Sequence, residues 1–155
     1  MRQEFFKQLH DLMTEDDRVY FITGDLGYFF ADKIREDFPD RFFNVGAAEC
    51  ALLGVGIGLA LEGKVPFCYS ITPFLLFRPF EAIRNYVDHE NIPVILVGSG
   101  RGRDYAHDNF SHWGDDDLKY ISRMKNIHVA HQDGDEFNLA ELVELHKPVY
   151  LNLKR

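Results

Sequence analysis

One acidic residue opens the most apolar stretch of this 155-residue chain. Glu49 follows a short predicted strand and precedes residues 50–61, CALLGVGIGLAL, which carry no charge and include three glycines. This pattern predicts a buried helix, and a carboxylate at its start is costly to bury without a partner. Asp32 and Glu36 are too far away in the sequence to share its role. The pattern therefore indicates that Glu49 binds a ligand.

The composition indicates one globular domain, residues 1–155, with a sizeable core: 46% of the residues are apolar and 27% are charged. The net charge of −8 argues against nucleic acid as a partner, because binding phosphates needs clustered Lys and Arg. The N-terminal residues MRQEFFKQLHDL are unlike a signal peptide, and the apolar run Ala51–Leu61 is too short to span a bilayer. Cys50 and Cys68 lie in apolar surroundings, as free thiols of a reducing compartment do. We therefore expect a cytoplasmic protein without a membrane partner.

The apolar periodicity predicts alternating strands and helices. The predicted strands are Arg18–Thr23, Arg41–Val45, Val65–Ser70, Ile92–Val97, Ile127–Ala130 and Pro148–Leu153. The predicted helices are one marked by Phe5, Phe6, Leu9, Leu12 and Met13, then Phe29–Asp37, Ala47–Leu61, Pro73–Asp88, Asp115–Ser122 and Glu136–Leu145. Pro79 is expected to kink or restart the fourth helix. This order predicts the α/β class: a three-layer α/β/α sandwich around an open, mainly parallel sheet of about six strands.

Four separate segments are predicted to meet at one edge of this sheet. They are the turn at Asp25, the helix start at Glu49, the loop after Ser70 and the loop after Val97. Each follows a predicted strand, and open α/β sheets bind their ligands beyond the carboxyl ends of the strands. The ligand site is therefore expected at this edge.

Three sequence motifs are similar to those of one enzyme family. They are GAAECALLGVGIGLALEGKVPF at 46–67, FRPFEAIRN at 77–85 and AHDNFSHWGDDD at 106–117. Their order and spacing resemble the pyrimidine-binding domain of transketolase and related thiamine diphosphate enzymes. The resemblance covers roughly Val19 to Glu136, and three matches in order are more specific than any one motif. It implies the pyrimidine-domain version of the thiamine diphosphate-binding fold.

The resemblance implies two catalytic residues. Glu49 matches the acid that bonds to the aminopyrimidine ring of thiamine diphosphate and favours its imino form, which requires a dry pocket. His112 matches a histidine that faces the substrate and would transfer a proton or bind a hydroxyl group. Taken alone, Glu49 would be interpreted as an acid that satisfies backbone donors at a helix start. The two further motifs favour the cofactor role.

Three more residues are implied to bind the cofactor together with Glu49. Asp25, in the turn GDLG, matches an acid near the cationic thiazolium, although a turn Asp bonded to its own backbone fits equally well. Alignment from the second motif places Thr72 and Leu75 at the stacking positions of the family. A shift of register by one or two residues would bring Phe74 there, and we expect Phe74 to be the stacking ring.

The substrate-binding residues implied are Asp108, His112 and Arg101. The family's sugar-phosphate-binding histidine would fall near Gly100, where the chain has none. Arg101 and Arg103 would bind an anion instead. This departure argues against the usual phosphosugar as the small-molecule substrate.

The resemblance also implies a partner chain. In the family, a second domain type holds the diphosphate and Mg²⁺ through a Gly-Asp-Gly motif, and we expect this chain to have neither that domain nor the family's C-terminal domain. The DGD sequence at 133–135 lacks the leading glycine and is interpreted as a turn, and no His or Cys spacing predicts a metal site. We expect one subunit of a split enzyme, with thiamine diphosphate at the interface with a diphosphate-binding subunit in a heterotetramer.

The leading hypothesis is thus a transketolase-like transferase subunit of carbohydrate metabolism. It would move a two-carbon ketol unit and be active only with its partner. One alternative keeps the cofactor but makes the enzyme a split 2-oxoacid decarboxylase or acyl transferase. Another is a non-catalytic binding or regulatory subunit, against which the intact Asp25, Glu49, Asp108 and His112 argue.

Overall fold

Six parallel strands form one sheet in the part of the chain that the computed structural model describes, residues 1–130 and 136–155. They are β1 (Val19–Thr23), β2 (Phe42–Asn44), β3 (Val65–Ile71), β4 (Ile95–Ser99), β5 (His128–Val129) and β6 (Val149–Leu153). Their order in the sheet is β2-β1-β3-β4-β6-β5. Strand β2 lies on one side of β1, and β3 lies on the other side. The strand order therefore reverses between β1 and β3. Open α/β sheets bind ligands at such a switch point.

Helices cover both faces of the sheet. They are α1 (Arg2–Glu15), α2 (Asp32–Asp37), α3 (Glu49–Leu61), α4 (Thr72–Phe77), α5 (Phe80–Ala82, continued by the π-helical segment Ile83–His89), α6 (Asp117–Ile121) and α7 (Leu139–Glu144). Helices α1, α2 and α7 contribute to one apolar cluster, whereas α3, α4, the π-helical segment and α6 contribute to the other. Within the described ranges, none of the helices has both the length and the apolar character that crossing a membrane requires.

The strands divide their side chains between these two clusters. Phe67 and Tyr69 of β3 belong to the cluster under α1, whereas Cys68 between them belongs to the cluster under α3. This alternation follows from the pleat, which turns successive side chains to opposite faces. Because helices cover both faces, the central strands read as continuous apolar runs. The predicted α/β class, with its open parallel sheet, is confirmed.

Several element bounds differ from the prediction for local reasons. Helix α4 ends at Phe77 and the chain resumes as α5 after Pro79, as the missing N–H of proline predicts. Helix α7 begins at Leu139 instead of Glu136, because the Asn138 side chain accepts the amides of the first helical turn. The predicted turn at 133–135 lies outside the described residues.

The glycines of α3 serve two opposite faces of the helix. A Cβ atom on Gly56 would collide with the sulfur of Cys68, so α3 approaches β3 closely at this point. A Cβ atom on Gly54 or Gly58 would meet no atom within 4 Å. Gly56 therefore permits packing inside the subunit, whereas Gly54 and Gly58 leave a smooth outer surface.

We predict that Gly56→Ala lowers the free energy of unfolding, by about 1–3 kcal/mol, because the added methyl overpacks the contact with Cys68. Gly54→Ala should be neutral or stabilising by up to about 1 kcal/mol, since alanine favours the helix and the position is open. Urea denaturation of the two variants measures the difference. Equal effects would contradict the assignment of the two faces.

Candidate functional site

Glu49 is buried at the carboxyl edge of the sheet, as the first residue of α3, and is only 1% exposed. The Ser70 hydroxyl donates to its Oε1 at 2.8 Å, and Nη1 of Arg78 donates to its Oε2 at 2.6 Å. Gly24, directly after β1, borders the same carboxylate: a Cβ atom there would lie 3.3 Å from Oε1. Two donors, one of them cationic, thus offset the cost of burying this charge. The pairing with Arg78 and Ser70 was not predicted from the sequence.

Phe74 of α4 links Arg78 to the loop that carries His112. The Arg78 guanidinium carbon lies 3.9 Å from the centroid of the Phe74 ring. His112 meets the same ring edge-on, with centroids 4.8 Å apart and planes at 65°. Nδ1 of His112 lies 2.9 Å from the Ser111 hydroxyl, which fixes the orientation of the imidazole. The structure therefore brings together Glu49, Phe74 and His112, with Arg78 as the link.

Leu75 lies apart from this group. Its side chain is fully buried in the apolar cluster under α3 and α4. Phe74, one residue earlier, is only partly buried and has the aromatic face that stacking requires. A cofactor contact of Leu75 stays a prediction, and Phe74 is the better placed of the two.

Asp25 lies at the end of β1 in a left-handed backbone conformation, with φ 58°. Its carboxylate accepts hydrogen bonds from Nδ2 of Asn44 at 3.1 Å and from the Tyr28 hydroxyl at 2.7 Å. The Asn44 amide, followed by the Tyr28 hydroxyl, lowers the pKa of Asp25 below its ordinary value. The carboxylate is therefore held in its charged form at the switch point, one residue from Gly24.

The two arginines of the loop after β4 are both engaged within the chain. Nη2 of Arg101 donates to the backbone carbonyl of Asn152 at 2.6 Å. Arg103 lies over the Trp113 ring, 4.2 Å from its centroid, and pairs with Asp115 at 2.8 Å. Both arginines thereby brace the loop, and the anion-binding role of Arg101 stays a prediction.

Asp108 lies in the same loop as His112, in the 3₁₀ turn before it. Its Oδ2 lies 3.0 Å from Nε2 of His107, and both side chains are exposed. The contacts described for Asp108 and His112 do not join them to each other. A shared role in substrate binding is thus an expectation that their common loop allows.

The sequence profile described as "Transketolase, pyrimidine binding domain" matches residues 1–154. The chain belongs to this family. Its sequence is 29% identical to a putative transketolase C-terminal section of Methanocaldococcus jannaschii, over 100% of this chain and 50% of the relative. It is 26% identical to a 6-deoxy-6-sulfo-D-fructose transketolase subunit of Clostridium sp. (strain MSTE9), over 100% of this chain and 49% of the relative.

A solved structure described as a split gene transketolase, inactive β4 tetramer, is similar to the whole pyrimidine-binding domain. The TM-score is 0.84 at 30% identity, covering 99% of this chain and 50% of that one. This chain therefore spans about half the length of these three proteins. The structural match shows the same fold.

The residues at the edge of the pyrimidine-binding domain fit the ring part of thiamine diphosphate. The buried Glu49 carboxylate would accept a bond from a ring nitrogen, and the Phe74 ring, which is linked to Glu49 through Arg78, would offer a face for stacking.

A buried polar network behind this site was missed in the sequence. Oδ2 of Asp117 accepts hydrogen bonds from the Tyr150 hydroxyl at 2.7 Å and from Nδ2 of Asn152 at 2.6 Å. The Thr72 hydroxyl, with its single proton, lies within hydrogen-bond distance of two acceptors, Oδ1 of Asn152 at 3.0 Å and the carbonyl of Ser99 at 3.2 Å. The network joins α6, β6, β4 and the start of α4, which carries Phe74. Its only sequence signal was an asparagine within an otherwise apolar last strand.

We predict that the Asp25 carboxyl titrates below its ordinary value and that Asn44→Ala raises its pKa, because the variant removes the largest cause of the shift. Tyr28→Phe should raise it less. Since the folded pKa is depressed, the stabilisation is present above the unfolded pKa and is lost as the pH falls through the folded one. NMR titration of the side-chain carbonyl carbon measures this. Unchanged titration in Asn44→Ala would refute the assigned cause.

Proposed function

We propose that this chain is the pyrimidine-binding subunit of a split, thiamine diphosphate-dependent transketolase-like enzyme that transfers a two-carbon ketol unit. The observation that carries the proposal is the buried Glu49 carboxylate at the switch point of the sheet, which Arg78 links to the Phe74 ring. Family membership supports the choice of cofactor, and relatives named as transketolase sections or subunits support the choice of reaction.

In this proposal, thiamine diphosphate supplies the nucleophilic carbon that accepts and releases the ketol unit. Glu49, which is buried, would hold a proton between its carboxylate and a ring nitrogen of the bound cofactor. Ser70 fixes the orientation of the carboxylate through Oε1. Phe74 orients the ring by stacking. The role of this chain is therefore to position and polarise one half of the cofactor.

The substrate would lie toward the loop after β4. His112, with Nδ1 held by Ser111, presents Nε2 for proton transfer to or from a substrate hydroxyl. Asp108 would bind a sugar hydroxyl, and Arg101 would attract an anionic group. The charged Asp25 carboxylate would stabilise the cationic ring of the cofactor. A small sugar is thus the proposed substrate class.

The surface of the chain supports a partner subunit. On the outer face of α3, Val55 and Leu61 are exposed beside the open positions Gly54 and Gly58. Phe29, near the carboxyl edge of the sheet, is 90% exposed. Contiguous exposed apolar surface marks interaction sites. We propose that these faces bind a diphosphate-binding subunit that holds Mg²⁺, in a cytoplasmic heteromer with two copies of each chain.

The proposal is tested by titrating thiamine diphosphate and Mg²⁺ calorimetrically into this chain, first alone and then mixed with a candidate diphosphate-binding subunit. We expect tight binding only in the mixture, because the site is completed by two chains. Ketol transfer should appear in the same mixture with sugar donors. No binding in either sample would overturn the cofactor and the reaction together.

We predict that Glu49→Gln lowers the activity of the reconstituted enzyme by about 100-fold or more, because an amide cannot share a proton with the ring. Folding should persist, since the Arg78 side chain left behind is 42% exposed and can be hydrated. Circular dichroism and thermal melting check the fold. Glu62→Gln, an exposed acid at the other end of α3, is the control and should keep full activity. Equal activity of the Glu49 variant would refute its role.

A further inference from the structure

Arg78 makes both of the contacts that the proposed function assigns to the aminopyrimidine ring. Its Nη1 donates to Oε2 of Glu49 at 2.6 Å, and its guanidinium carbon lies 3.9 Å from the centroid of Phe74. A hydrogen bond to the buried acid and a planar group on the aromatic face thus come from one side chain. No motif in the sequence pointed to this arrangement.

The guanidinium group is a suitable substitute for such a ring. It is planar, carries N–H donors at its edge and stacks on aromatic faces. A protonated or imino-form aminopyrimidine is also planar and presents a nitrogen to the acid. Lysine would match the charge but not the plane, since its ammonium is a compact point charge.

An aminopyrimidine ring that makes both contacts takes the place of the guanidinium. A carboxylate oxygen can accept more than one hydrogen bond, so the overlap arises from the combination: Arg78 bonds to Oε2 of Glu49 while its guanidinium lies over the Phe74 ring. His112 is also in contact with Phe74, and one face of the Phe74 ring lies under Arg78. A ring that bonds to Oε2 while stacking on this face would overlap the guanidinium.

Arg78 is placed so that it can leave. Its side chain is 42% exposed, whereas Glu49 is 1% exposed. The residue lies between the end of α4 and Pro79, and its backbone carbonyl faces the Cys50 sulfur at 3.4 Å. Rotation of the side chain toward water therefore leaves no buried cation, and it removes the contacts of Arg78 with Glu49 and with the Phe74 ring.

We propose that Arg78 is a place-holder for the aminopyrimidine ring, which must displace the guanidinium from Glu49 and Phe74 before it binds. The inference rests on the proposed function. It makes the free site stable, because the buried acid is paired, and it lowers the apparent affinity for the cofactor. Only a ligand that bonds to the acid and stacks on Phe74 replaces both contacts, so the exchange also selects the ligand.

The test compares Arg78→Met with wild type in the reconstituted complex, by calorimetric titration with thiamine diphosphate and Mg²⁺. If Arg78 occupies Glu49 and Phe74 in about 90% of the wild-type molecules, the variant should bind thiamine diphosphate about tenfold more tightly. At the same time, the melting temperature of the free variant should fall, because Glu49 loses its cation. If Arg78 had a structural role alone, its replacement by Met would lower both the melting temperature and the affinity for thiamine diphosphate.

Arg84→Met is the matched control, since Arg84 lies on the adjacent helical segment and donates to Asn85 at the surface. It should leave the dissociation constant unchanged. Equal or weaker binding by Arg78→Met, with normal wild-type binding, overturns the place-holder and leaves the proposed function intact. Absence of wild-type binding overturns both. If the Met variant does not fold, Arg78→Lys keeps the charge but loses the planar stack, and it should bind more tightly than wild type; unchanged or weaker binding refutes the inference.

Discussion

The burial of one negative charge organises this edge of the molecule. Glu49 is withdrawn from water at the start of a helix that carries no other charge, so its stability depends on donors from other elements. Ser70 arrives from β3 and Arg78 from the end of α4. Three segments that are distant in sequence are thereby fixed against one carboxylate. The same pairing limits which ligands can bind, because a ligand that displaces Arg78 must form an interaction with the Glu49 carboxylate that is at least as favourable.

A buried polar network lies next to the site, in a core that is otherwise mostly apolar. Asp117, Asn152 and Thr72 form a buried chain of hydrogen bonds that ties the last strand to the beginning of α4. Burial, with the neighbouring Asp117 carboxylate, raises the pKa of Tyr150 and keeps its hydroxyl a donor in this chain. Such fully bonded networks favour one arrangement of a core over others. The position of Phe74 is thus determined by the hydrogen bonds of Thr72 at the start of α4 and by the contacts of the Phe74 ring with His112 and Arg78.

The sequence predicted what depends on periodicity and on local motifs. The parallel sheet, the break at Pro79, and the placement of Asp25 and Glu49 at strand ends all follow from short-range patterns. The contact between Phe74 and His112 followed only in outline, from the rule that loops after neighbouring strands share an edge. The Glu49–Arg78 pair and the Asp117 network could not be predicted, because each joins residues 27 or more positions apart through side-chain geometry. Neither leaves a periodic signal.

Gly24 gives the site a wall made of main chain. A side chain at this position would crowd Ser70 and Glu49, and the amide of Gly24 is bonded to the carbonyl of Tyr69 at 3.0 Å. Because Gly24 has no side chain, this part of the site has no rotamers to order, and its hydrogen bond to β3 holds it as rigidly as the sheet. The conformational entropy of shaping this surface is lost when the chain folds, before any ligand arrives. Arg78, which bonds to the other carboxylate oxygen of Glu49 and is partly exposed, can still adjust when a ligand binds.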